Sequence, residues 1–143
     1  MDVIHNPYSL RKSFIEHVVK PLRVKEPYNK PEESIIEIRL KNKDNHFFER
    51  VLERDVDKGR LGSLFKLLIT QKYCEVLYLF HTARKEYKMD EVKPFLLVTY
   101  KDLSIIFMMI DNHDHPKYKR WILLPITVLK DNDKFLYNYR IDI

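Results

Sequence analysis

Glycine and cysteine are scarce in this chain. Two glycines among 143 residues leave no room for a glycine-rich linker, a collagen repeat or a glycine-fingerprint phosphate loop. The one cysteine, Cys74, cannot form an internal disulfide, so no oxidising compartment is implied. Its setting, Tyr73-Cys74-Glu75-Val76-Leu77, reads as that of a small buried hydrophobe rather than a nucleophile. No apolar run approaches the roughly 18 residues of a membrane span, so no membrane partner is expected. Met1 to Pro7 has neither the basic start nor the apolar stretch of a signal peptide. The protein is expected to stay in the compartment where it is made.

What is present describes a folded, mildly basic domain. Hydrophobic residues are 45% and charged residues 33%, a balance that excludes intrinsic disorder. The length fits one domain spanning residues 1–143, large enough for a real core. Lys plus Arg is 26 against 21 Asp plus Glu, a formal charge of +5. Such a charge permits a nucleic-acid partner without demanding one. High aromatic and Lys/Glu content with little glycine suits a heat-tolerant domain.

Periodicity orders the elements. Ser9 to Lys20 reads as a helix, with Ser9 as its cap and Leu10, Phe14 and Val18 on one face. Pro21 disfavours helical geometry at Lys20, so the helix is expected to stop there. Ile36, Ile38 and Leu40 alternate with Glu37, Arg39 and Lys41, which predicts a strand with the charged set facing outward. His46 to Arg54 fits no period cleanly. Ser63 can cap a helix over about 62–72, and the stretch from 74 to 85 reads equally as helix or strand. Residues 94–100, 103–110, 121–129 and 135–143 read as strands, the first two joined in a hairpin at Lys101-Asp102. Helices followed by strands predict an α+β fold: an antiparallel or mixed sheet with the helices packed mainly on one face.

Three stretches can carry chemistry. The first is Glu86-Tyr87-Lys88, flanked by Arg84, Lys85 and Lys93. A carboxylate there can hold Mg²⁺, and a lysine two residues on can stabilise charge on a scissile phosphate. Candidate second carboxylates are Asp55, Asp57, Asp102 and Asp111. The plainer alternative is a solvated, charged helix end. The second is Asp111-Asn112-His113-Asp114-His115-Pro116, readable as a metal site or as turn-forming polar residues. Asp111 is its member best placed to partner Glu86 as a metal ligand. The third is Lys117-Tyr118-Lys119-Arg120-Trp121, where cations can neutralise phosphates while an aromatic stacks on a base. Equally, Trp121 can begin a core strand behind an exposed cationic loop. His17 and His81 read as core or boundary histidines. Lys41-Asn42-Lys43 and Arg54 to Lys58 read as solvated surface.

Glu86-x-Lys88 resembles the E-x-K half of the PD-(D/E)xK nuclease motif, although no Pro-Asp pair precedes it. In size, scarce glycine, single cysteine and Lys-, Ile- and Tyr-rich pattern, the chain also resembles small orphan proteins of lipothrixvirus-type filamentous viruses of hyperthermophilic archaea. That resemblance implies a viral protein acting in the host cytoplasm on linear double-stranded DNA. It implies a Mg²⁺-dependent nuclease with Glu86 and Lys88 catalytic, Glu86 and Asp111 on the metal, Asp102 or Asp111 as second carboxylate, and Arg84, Lys85, Lys119, Arg120 and Trp121 on the DNA. The alternative is a module that binds DNA or a host protein without cutting. Composition leaves monomer and dimer equally open.

Overall fold

A computed structural model of the chain describes residues 6–25, 34–40, 45–87, 93–114, 119–130 and 133–143. The amino-terminal helix begins earlier and runs further than its sequence predicts. Asn6, not Ser9, caps it: the Asn6 side chain accepts the Tyr8 backbone N–H at 2.8 Å, and Pro7 takes the first helical position, where its missing N–H is no loss. Helix α1 (Pro7–Phe14) passes into a π-helical turn (Ile15–Val19) and then into α2 (Lys20–Lys25). Pro21 therefore does not end the helix. In an α-helix its ring would meet the carbonyl four residues back. Across the wide turn the Lys20 N–H instead reaches the Ile15 carbonyl, five residues back, and the chain continues with the proline accommodated.

The next three helices follow from their apolar faces. The ambiguous stretch at 46–54 is helix α3 (His46–Glu53), which buries Phe47, Phe48 and Val51. Helix α4 (Lys58–Ile69) buries Leu61, Leu64, Phe65, Leu68 and Ile69. Its cap is Asp57, whose carboxylate accepts the Arg60 N–H at 2.9 Å, rather than Ser63. Helix α5 (Tyr73–Glu86) resolves the open reading of 74–85. Val76, Phe80 and Ala83, at helical spacing, are its buried face. Cys74 falls on the opposite face and is exposed, against expectation. His17 and His81 are exposed too, so neither is a core histidine.

Five strands form one mixed sheet in the order β1-β4-β3-β2-β5: β1 (Ile36–Ile38), β2 (Phe95–Tyr100), β3 (Leu103–Asp111), β4 (Trp121–Val128) and β5 (Tyr139–Asp142). The β2–β3 hairpin turns at Lys101, in the left-handed region at φ 54°. The outer pairs β1–β4 and β2–β5 are parallel, the inner ones antiparallel. Strand β4 carries a proline, which lacks a ladder donor. Pro125 is tolerated because β1 ends level with Leu123, and next to it the β3–β4 ladder is offset by a bulge. Strand β5 begins at Tyr139, four residues later than the predicted start at 135.

The helices cover one face of the sheet, as predicted. That face presents Leu96, Val98, Ile105, Phe107, Met109, Trp121 and Leu123 to the core. Phe65 sits at the centre, with ring contacts to Phe14 (5.8 Å), Phe47 (6.3 Å) and Phe107 (5.9 Å). On the other face Leu97, Ile106, Ile122 and Leu124 are buried as well. The parallel β4 and β5 are separated by two strands, so the connection from 129 to 138 crosses the sheet to reach the far edge. It crosses beneath that second face, where Phe135 packs edge-on against Phe95 at 5.2 Å.

Candidate nucleic-acid interface

The strand directions sort the charged residues to two ends of the sheet. At one end β2, β4 and β5 begin, β3 finishes, and α5 stops. There stand the exposed Arg84, Lys85 and Glu86 of the last turn of α5, Lys93 before β2, and Lys119 before β4. Arg84 and Lys85 suit a helix C-terminus, where the backbone carbonyls concentrate negative charge. Glu86 does not, and its carboxylate is stabilised by the Tyr139 hydroxyl of β5, which donates to it at 2.7 Å. Burial of the Tyr139 phenol, followed by this bond and the Glu86 charge, raises its pKa well above the ordinary tyrosine value.

Asp111 organises the centre of this end. One carboxylate oxygen accepts from Arg84 Nε at 3.0 Å and Nη2 at 2.8 Å. The other meets His113 Nδ1 at 2.5 Å and accepts the His113 backbone N–H at 3.1 Å. Burial alone would raise the Asp111 pKa, but the hydrogen bonds from Arg84 and His113 outweigh it and hold the carboxyl below its ordinary range. Both oxygens are thus engaged, and a cation at Asp111 would have to compete with a guanidinium.

Trp121 lies directly beneath. Phe80 stacks on it at 4.9 Å, His81 and His113 approach at 5.3 and 4.3 Å, and the Arg84 guanidinium carbon is 4.3 Å from the ring centre. None of its surface is exposed, so the ring is unavailable to stack on a base. Of the two readings of Trp121, the start of a core strand is the one observed. Its indole N–H has no hydrogen-bond partner among the described residues.

The other predicted residues fall in different places. Arg120 turns to the second sheet face and donates to Glu37 at 3.2 Å, and Arg39 reaches the same carboxylate oxygen at 3.4 Å. Glu37 is only 5% exposed; the strand alternation that places it outward overlooks these two guanidiniums. Asp102 lies at the opposite end of β3 from Asp111, roughly 30 Å away along a nine-residue strand. It pairs there with Arg60, which lowers its pKa through their hydrogen bond. Asp133 likewise pairs with Arg54 at that end. Asp102 therefore stands away from the end of the sheet that holds Glu86 and Asp111. Tyr139, the partner of Glu86, stands level with Leu96 and Phe107, four residues short of Asp111 and two strands away from it. Among the described residues, no three His, Cys, Asp or Glu side chains gather to hold a metal ion. Lys88, Lys117, Tyr118, His115 and Pro116 lie outside the described residues.

The residues that sequence reasoning missed are Tyr139, whose partner Glu86 is 53 positions away, and Glu37, which joins the nearby Arg39 to Arg120, 83 positions away. Among the described residues no helix is long and apolar enough to cross a membrane. No protein family, curated protein or solved structure matches the chain.

Proposed function

We propose that the chain binds the phosphate backbone of double-stranded DNA with the end of the sheet where α5 stops. One observation carries this reading: three separate segments bring Arg84 and Lys85, Lys93, and Lys119 to that same end. At the other end Arg54 and Arg60 are each bound to an aspartate, as Arg84 is to Asp111 at this one. Exposed cations neutralise phosphates without reading bases, so binding is sequence-independent and salt-sensitive. Fluorescence anisotropy with a labelled duplex across a salt series tests it. Lys85→Ala/Lys119→Ala, both exposed positions, weakens binding equally on unrelated sequences and lowers the salt slope by about one per lost contact. An unchanged isotherm in the double variant discards the interface.

Hydrolysis at Glu86 is the second reading. The exposed Glu86 carboxylate, fixed by Tyr139 among the same cations, favours it. There it would hold Mg²⁺ or accept a proton from water beside a bound phosphate, with Lys88 on the scissile group. Linear duplex incubated with magnesium and either wild type or Glu86→Ala decides. Fragments from wild type alone support cleavage, and equal backgrounds leave binding as the activity.

A further inference from the structure

Strand β5 is an edge of the sheet, hydrogen-bonded to β2 on one side and, among the described residues, bordered by no strand on the other. Natural edges of this kind are templates for pairing unless something blocks them. Here nothing of one sign does so. The strand reads Tyr139-Arg140-Ile141-Asp142, with Arg140 and Asp142 exposed on one face and the buried Ile141 between them on the other. Within the chain, Arg140 Nε donates to Asp142 at 2.8 Å. Just before the strand, Leu136 is 91% and Tyr137 45% exposed, among the largest uncovered apolar side chains of the molecule.

We infer that β5 pairs antiparallel with β5 of a second copy, in the register that sets Ile141 opposite Ile141. Charge complementarity selects both the occupant and the register. About that centre, Arg140 of each copy faces Asp142 of the other, twice by symmetry, and opposite charges directly across a strand pair attract. A shift by two residues sets Arg140 opposite Arg140 or Asp142 opposite Asp142, which repels. A shift by one turns the faces against each other. The edge is therefore complementary to itself in one alignment. The same pairing joins the two sheets into one. At the other edge, β1 has three residues, and its Glu37 is engaged by Arg39 and Arg120. It offers no such pattern.

A four-residue strand pair buries less than the roughly 1,200 Å² of a standard stable interface, so the dimer is expected to dissociate in the micromolar range. Sedimentation velocity of the full chain over a concentration series reads this directly. Arg140→Asp and Asp142→Arg each set like charges across the joint and weaken self-association by about tenfold or more. Because either change also removes the pair within the strand, far-UV circular dichroism confirms folding, and the decisive arm is a mixture. Equimolar Arg140→Asp and Asp142→Arg chains complement each other at both positions and form a heterodimer at wild-type strength, which damage to the fold could not produce. The exchange variant Arg140→Asp/Asp142→Arg pairs with itself again. A monomer at every concentration overturns the inference, as does a dimer indifferent to both single variants.

Discussion

Arg84 holds its guanidinium carbon 4.3 Å from the centre of the buried Trp121 ring while two of its nitrogens grip one oxygen of Asp111. One side chain thereby ties the end of α5 to β3 and β4. Arg84→Ala loses a cation–ring contact and a partly exposed ion pair, together about 1 kcal/mol after allowance for solvent screening. Arg84→Lys recovers little of it, because an ammonium lacks the forked donors. Urea unfolding followed by fluorescence reads both changes, since Trp121 is the only tryptophan. A midpoint for Arg84→Ala equal to wild type would show that the contact contributes nothing.

Acid should expose the role of Asp111. Its folded pKa is depressed, so the native state favours the ionised form and releases its proton more readily than the unfolded chain does. The stabilisation is fully present above the unfolded value, about 3.9, and is lost as pH falls through the lower folded value. Asp111→Asn lacks this dependence. The stability gap between wild type and Asp111→Asn, measured by urea unfolding at stepped pH, is constant at neutral pH and narrows in strong acid. A gap that stayed constant through that range would contradict the pairing.

Phe65 tests the core. It is fully buried and touches rings from α1, α3 and β3. Phe65→Ala is expected to destabilise by about 3–5 kcal/mol, through lost burial and the cavity left behind. Tyr78, 69% exposed on α5, supplies the contrast: Tyr78→Ala stays within about 0.5 kcal/mol of wild type. Similar urea midpoints for the two variants would place the centre of the core elsewhere.

What could be read in the sequence was what depends on neighbours along the chain. Leu10 and Phe14, and Phe65 and Ile69, announce themselves by period, the strands at 94–100 and 103–110 by near-continuous apolar runs, and an antiparallel or mixed sheet with the helices mainly on one face follows from their order. The stretch at 74–85 stayed open because Cys74, Val76 and Tyr78 suit a strand; the shared face of Val76, Phe80 and Ala83 on the core makes it a helix. Pro21 misled because a π turn shifts the hydrogen-bond register just before it. Glu37 misled because Arg120 reaches it from the residue before β4. At the candidate interface, the exposed cations around Arg84 and Lys119 were legible as residue types. That Trp121 lies beneath them, and that Asp111 is engaged by Arg84 and His113, depends on pairing across β3 and β4.

The wide turn at Ile15–Val19 also fixes how many residues the amino-terminal helix can have. Each residue advances a helix by about 100°, so deleting one from the turn would swing Leu22 away from the core it packs against and drive the Pro21 ring onto a carbonyl. Adding one would rotate the same face the opposite way. Side chains in this segment can therefore be exchanged far more freely than its length can be altered, and a related chain with a different residue count before Leu22 would need a compensating change in the same stretch.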